Sequence, residues 1–155
     1  MNVLNQYAAL PYVVTRDGLL VCLITSRGTK RWIIPKGWPK AGVAPHSMAA
    51  REAREEAGLT GQVSVEMIGT FKYRKRLHVF ASVMCRVSVF PLLVESQRHD
   101  WREKGERHLE WMSPKKAAKR VNERELSQLF LNLGNWLLER GAGAMTDISE
   151  TPHAR

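Results

Sequence analysis

Three glutamates, Glu52, Glu55 and Glu56, stand within five positions of one another in a chain of 155 residues whose 24 lysines and arginines outnumber its 15 acidic residues, for a formal net charge of +9. On a helix, residues three and four apart share one face, so these carboxylates would lie together and repel one another. Two readings account for such a cluster. It is a solvated helix face neutralised by the neighbouring Arg51 and Arg54, or it is a site for a hard cation that takes carboxylate oxygens, such as magnesium or manganese. The basic residues gather elsewhere: Arg27, Lys36, the run Arg74-Lys75-Arg76, and Arg107. Adjacent cations held at the end of a strand make a cradle for several phosphates, although surface lysines and arginines also serve solubility alone. Trp32 and Trp38 flank Lys36 and could cover a pocket or simply pack, while Trp111 and Trp136 read as core. The five histidines show no metal-ligand spacing.

Composition narrows the setting. A hydrophobic fraction of 44% is enough for an ordinary packed core, and the length fits one domain. The positive potential favours anions, and phosphorylated small molecules, nucleic acid and anionic lipid all meet that description. No charged n-region precedes a long apolar stretch, and no run approaches the roughly 18 apolar residues of a membrane span. Cys22 and Cys85, the only cysteines, each sit in an alternating apolar stretch, which reads as buried thiols in a reducing cytoplasm.

Patterning places these residues on elements. Residues 1–6 read as a loose end, Tyr7 to Thr15 and Leu19 to Thr25 as a hairpin turning at Asp17-Gly18, and Arg31 to Ile34 as a brief strand ended by Pro35. Prolines and glycines make residues 36–45 a loop. A helix then starts near Pro45, presents a smooth face of Ala49, Ala50, Ala53 and Ala57 while the three glutamates point elsewhere, and stops at Gly58. Val63 to Phe71 reads as a strand, residues 72–76 as a basic turn, and Leu77 to Val89, apolar at every odd position, as one long strand. A charged loop over 95–107 leads to a short strand from Arg107 to Met112. Ser113-Pro114 opens a short helix, and Asn122 with Glu125 resembles a capping box for a last helix striped by Leu126, Leu129, Phe130, Leu133 and Leu137 and ended by Gly141. The pattern predicts an α+β or α/β domain over 1–141, with helices packed on a mixed sheet, and a flexible tail over 142–155.

Gly37, thirteen residues, then Arg51-Glu52-Ala53-Arg54-Glu55-Glu56-Ala57-Gly58-Leu59 resembles the 23-residue Nudix box, in which a glycine and a first glutamate precede Arg-Glu-U-x-Glu-Glu-x-Gly-U, U being a bulky aliphatic. Val43 stands in place of the first glutamate, and Ala53 is smaller than the usual aliphatic. Trp32-Ile-Ile-Pro-Lys-Gly-Trp, Gly69-Thr-Phe-Lys-Tyr and Glu110-Trp111 extend the likeness to the branch containing diphosphoinositol polyphosphate phosphohydrolases and their bacterial relatives.

The resemblance implies the α/β/α sandwich of the Nudix fold and a pyrophosphohydrolase that cleaves a phosphoanhydride with Mg2+ or Mn2+. Carried onto this sequence, it makes Glu52, Glu55, Glu56 and the Gly37 carbonyl metal ligands, with Glu55 or Glu52 in the catalytic proton-transfer role. Glu103 and Glu106 are candidates for a base outside the box. Arg27, Lys36, Arg74, Lys75, Arg76 and Arg107 would bind the substrate, a phosphorylated small molecule such as a diphosphoinositol or dinucleoside polyphosphate. An RNA 5′ end and a non-catalytic nucleotide-binding role are the alternatives, with nucleic acid a less favoured partner and no membrane partner expected. Loss of the first glutamate at Val43 is expected to weaken metal affinity or to free Arg51 for another partner.

Overall fold

The apolar run near the N-terminus builds the middle of a sheet. In the computed structural model, which describes residues 2–141, strand β1 (Val3–Thr15) lies parallel to β7 (Ala81–Gln97) over a register running from Val3↔Met84 to Tyr12↔Leu93. β1 also turns back at Asp17 into β2 (Gly18–Thr25), whose far edge carries β8 (Leu109–Met112), while β3 (Trp32–Ile33) pairs with Ile24 and Thr25 on the edge that faces β1. Between them, β4 (Lys36–Gly37) pairs with β1 at Tyr7 and Ala8. On the other flank, β7 receives β5 (Leu59–Val63) and β6 (Gly69–His78), both antiparallel.

Because successive strand residues point to opposite faces, β1 feeds two cores. Ala8, Leu10 and Tyr12 meet Phe130, Leu126 and Leu133 of α3 (Arg124–Arg140) and Ala117 of α2 (Pro114–Arg120). Ala9, with Phe90 and Leu92 of β7, meets Ala49, Ala53 and Ala57 of α1 (Pro45–Ala57). The expected three-layer sandwich follows, with a mixed sheet between α1 and the terminal helix pair. Ser113 caps α2 by accepting from the Lys116 amide at 3.2 Å, and Trp136 is buried.

Several local expectations are corrected. Residues 3–6 belong to β1, and the loop over 36–45 yields two residues to β4. The strand expected over 63–71 is two strands separated by a bend, so Val65 and Met67 are exposed. Residues 72–76 form no turn; they lie inside β6, and the true turn falls at Val79-Phe80. Period-two alternation cannot see that turn, since apolar residues continue through it. β7 extends to Gln97, into the expected loop, and β8 begins only at Leu109. α3 has no capping box: Glu123 occupies the N-cap position without a side-chain bond, and Glu125 accepts the Lys72 amide at 3.0 Å. The tail over 142–155 lies outside the described residues.

The C-terminus of α1 is tied to the segment after β7. Gly58 takes the left-handed conformation, φ 70°, and its amide bonds to Arg54 O at 3.0 Å. The free carbonyls of the last turn are met by Gln97 Nε2 at Ala57 O (3.3 Å), the Arg98 amide at Gly58 O (2.8 Å) and the Glu103 amide at Glu55 O (3.0 Å). Trp101 lies flat on Gly58, where a β-carbon would come within 2.5 Å of the indole Cδ2. Both backbone and space therefore demand glycine. Gly58→Ala is expected to cost roughly 2 kcal/mol, read as a lowered urea midpoint, by combining left-handed strain with displacement of Trp101.

Candidate functional site

β4, the exposed ends of β2 and β6, α1 and the segment after β7 enclose an open cleft of about 920 Å³. One wall is acidic. Glu52, Glu55 and Glu56 project from α1 beside its alanine face, Glu52 and Glu56 each three positions after a buried alanine and Glu55 farther round the helix. Opposite are Arg27 after β2, Lys36 on β4, and Arg74, Lys75 and Arg76 on β6. The segment after β7 adds Arg102, Glu103, Glu106 and Arg107.

Glu56 is the most constrained group. It is only 5% exposed, and its Oε1 has no hydrogen-bond partner among the described residues. Burial pushes its carboxyl up to about 8, against the Arg107 guanidinium, which pulls it down. Arg107, 8% exposed in its side chain, stands 3.8 Å from Glu56 Oε2, holds Glu103 at 2.9 Å, and donates to Thr25 O at 3.1 Å. Glu52 is also raised, first by burial and then by the charge of Glu55. Its carboxylate fills the space beside Gly37, where a β-carbon would lie 2.5 and 2.7 Å from the two oxygens. A side chain at 37 would therefore evict Glu52.

Glu55 is held differently. Arg51 donates to its Oε1 at 3.1 Å and Arg102 approaches Oε2 at 3.8 Å. Arg51 thus pairs with the carboxylate one helical turn onward, an ordinary i,i+4 helix pair. As the side chains stand, no three His, Cys, Asp or Glu groups among the described residues converge on one point. The donor set still suits a divalent cation: a buried and a half-buried carboxylate in a cleft, the buried one with an orphaned oxygen, beside a backbone bared by Gly37. Glu55 could join them only by leaving Arg51.

The cleft gathers every residue expected at the site, but with different duties. Arg107 is spent on Glu56 and Glu103, and Arg27 reaches Glu106 at 3.2 Å and Glu103 at 3.8 Å. The Lys36 ammonium sits 5.0 Å above the ring of Tyr73, and burial pushes it down to about 8. Tyr73 in turn donates to Oε1 of buried Gln6 at 2.5 Å. Arg74, Lys75 and Arg76 alternate across a strand and so do not form one three-pronged cradle; Arg74 donates to Ser82, and Lys75 lies 6.0 Å over Trp38. Gln6, Arg31, Tyr73 and Arg102 also line the cleft. Nothing in their local sequence marked them. Tyr73 could have been found only by reading residues 69–78 as a strand facing Lys36.

A family model described as NUDIX domain matches residues 5–131. Nudix hydrolase 21, chloroplastic, of Arabidopsis thaliana is 31% identical over 130 residues, covering 79% of this chain and 64% of the relative. Diphosphoinositol polyphosphate phosphohydrolase 2 of Rattus norvegicus is 29% identical over 117 residues, covering 74% and 61%. The chain thus spans less than two thirds of the length of either relative. In structure, the chain resembles an Ap4A hydrolase of C. elegans with a TM-score of 0.61 at 18% identity, over 88% of this chain and 99% of that one, a likeness of fold.

A carboxyl raised on folding favours the folded state in its neutral form. That contribution is complete below its unfolded value of 4.5 and is lost as pH rises through about 8. Metal-free protein is therefore expected to lose stability across that window. Glu56→Gln, neutral throughout, should flatten most of the slope and leave the part due to Glu52, as read from urea midpoints in the presence of chelator.

Proposed function

The chain belongs to the Nudix family, and from that premise we propose that it is a metal-dependent hydrolase of phosphoanhydride bonds in nucleoside- or inositol-linked polyphosphates, such as diadenosine or diphosphoinositol polyphosphates. The observation that carries this reading is the polarity of the cleft, in which buried Glu56 and half-buried Glu52 and Glu55 on α1 share the lining with cations on β4 and β6.

In this reading Glu52 and Glu56, with Glu55 and the Gly37 carbonyl, hold Mg2+ or Mn2+. The bound cation supplies positive charge against the phosphate oxygens as the anhydride is cleaved. Lys36, Arg74, Lys75 and Arg76 bind and orient the remaining phosphates from the opposite wall, and Arg27 and Arg102 exchange carboxylate partners for phosphate when substrate enters. Arg107 is assigned to holding Glu56 and Glu103, a change from its expected contact with substrate. Glu55 or Glu52 takes the proton of the attacking water; Glu103, beside Arg107 in the same cleft, is the alternative base.

Purified protein is expected to release phosphate from diadenosine or diphosphoinositol polyphosphates only with Mg2+ or Mn2+, and to prefer them to triphosphorylated RNA. Glu56→Gln should lower turnover by about 100-fold or more and weaken magnesium binding. If Glu55→Gln and Glu56→Gln both keep the magnesium affinity of the unaltered protein in calorimetric titration, the ligand assignment is wrong. Turnover of RNA alone would overturn the substrate class.

A further inference from the structure

The hairpin formed by β6 and β7 extends beyond the cover of α1 and carries a composition the cleft does not explain. From Met67 to Val94 there is no aspartate or glutamate, yet the stretch holds Lys72, Arg74, Lys75, Arg76 and Arg86. None of these five side chains has a carboxylate within ion-pair distance among the described residues. The register sets Lys72 opposite Arg86 and Arg74 opposite Met84, so Lys72, Arg74, Arg76 and Arg86 share one face of the sheet. Along β6 they repeat at roughly 6.8 Å. Lys72 and Arg86 lie outside the cleft lining.

At the tip the chemistry changes. Leu77, Val79 and Phe80 are 56%, 77% and 93% exposed, and the turn between His78 and Ala81 holds the last two outward. Val3 and Leu4, also exposed, register with Met84 and Cys85 and extend the apolar surface at the same end of the sheet. Exposed apolar side chains gathered at one protrusion mark an interaction site more often than an accident of surface.

We propose that the β6–β7 hairpin docks the protein reversibly on an anionic lipid surface, with Leu77, Val79 and Phe80 entering the headgroup boundary and Lys72, Arg74, Arg76 and Arg86 meeting the lipid phosphates behind them. An apolar tip backed by unpaired cations is the arrangement that interfacial binding requires, because apolar burial and attraction to anionic headgroups act together. A single-stranded nucleic acid would use the cations and could stack on Phe80, but it leaves Leu77 and Val79 in water. A second copy of the chain would bring the same unpaired cations together, which repulsion opposes. The sequence-based expectation of no membrane partner rested on the absence of a spanning segment. Among the described residues no helix is long and apolar enough to cross a membrane, and surface docking needs none. The proposal shares Arg74 and Arg76 with the cleft, so its test is made at Val79 and Phe80, which line no part of the cleft.

Sedimentation with vesicles tests it. The full chain is expected to pellet with vesicles of phosphatidylcholine and phosphatidylserine at low salt, to pellet poorly with phosphatidylcholine alone, and to be released in part by high salt. A Val79→Ser/Phe80→Ser variant alters only exposed turn residues. It should keep its circular dichroism spectrum and hydrolytic rate while its partition onto the anionic vesicles falls by about tenfold. The proposal is overturned if the unaltered chain stays in the supernatant with phosphatidylserine vesicles, or if the double variant binds them equally well. It is also overturned if the double substitution instead weakens binding of a fluorescent single-stranded oligoribonucleotide while vesicle binding is unchanged.

Discussion

The burial of the Glu56 carboxylate shapes most of what surrounds it. A charged group in a nearly dry position is costly, and removing a partner from such a group costs more than the pair contributes. Arg107 answers that charge from a segment fifty residues later in the chain, and Arg107 is itself fixed by Glu103 and by the Thr25 carbonyl. The segment that delivers Arg107 is in turn anchored to the last carbonyls of α1, the helix that carries Glu56. Helix end, returning loop and buried ion pairs form a closed circuit, and Trp101 on Gly58 is its clasp.

The same helix separates packing from chemistry by residue size. Alanines at 49, 53 and 57 let α1 settle against Ala9, Phe90 and Leu92 in the sheet, which brings the flanking Glu52 within reach of β4. Gly37 completes the approach, because only a residue without a β-carbon leaves room for the Glu52 carboxylate. Small residues on both sides of the contact thus place large charged ones. The orphaned Oε1 of Glu56 remains as surplus acceptor capacity in the wall of the cleft.

Positive charge is distributed with equal economy across two surfaces. Within the cleft, Arg27, Arg102 and Arg107 already face carboxylates, so an incoming phosphate competes with internal pairs. Lys36 instead rests on Tyr73, backed by Gln6, and so keeps its ammonium free of a carboxylate partner. The outer face of the hairpin carries cations with no carboxylate partner among the described residues and ends in apolar residues. These are different electrostatic designs, one balanced around a buried acid and the other open to a large anionic surface.

Sequence alone determined the features that depend on near neighbours. The extent of α1, from Pro45 to its stop at Gly58, followed from a proline tolerated in the first turn and a glycine suited to the left-handed end. The shared face of Glu52, Glu55 and Glu56 followed from helical periodicity, and helices packed on a mixed sheet followed from the order of the elements, while the three-layer sandwich was implied by the resemblance to the Nudix box. Tertiary structure decided where charges met. Arg107 carries no local mark distinguishing a substrate ligand from a partner for Glu56, since that choice depends on a loop returning across α1. Residues 72–76 could not be told from a turn by their basic composition, because it is pairing with β7 that makes them a strand. Leu77 and Val79 open an apolar alternation that reads as core, yet none of the described elements covers the end of the hairpin, where Phe80 is exposed as well. Periodicity reports which side chains share a face; only the assembled sheet and helices determine whether that face is buried, paired or left to solvent.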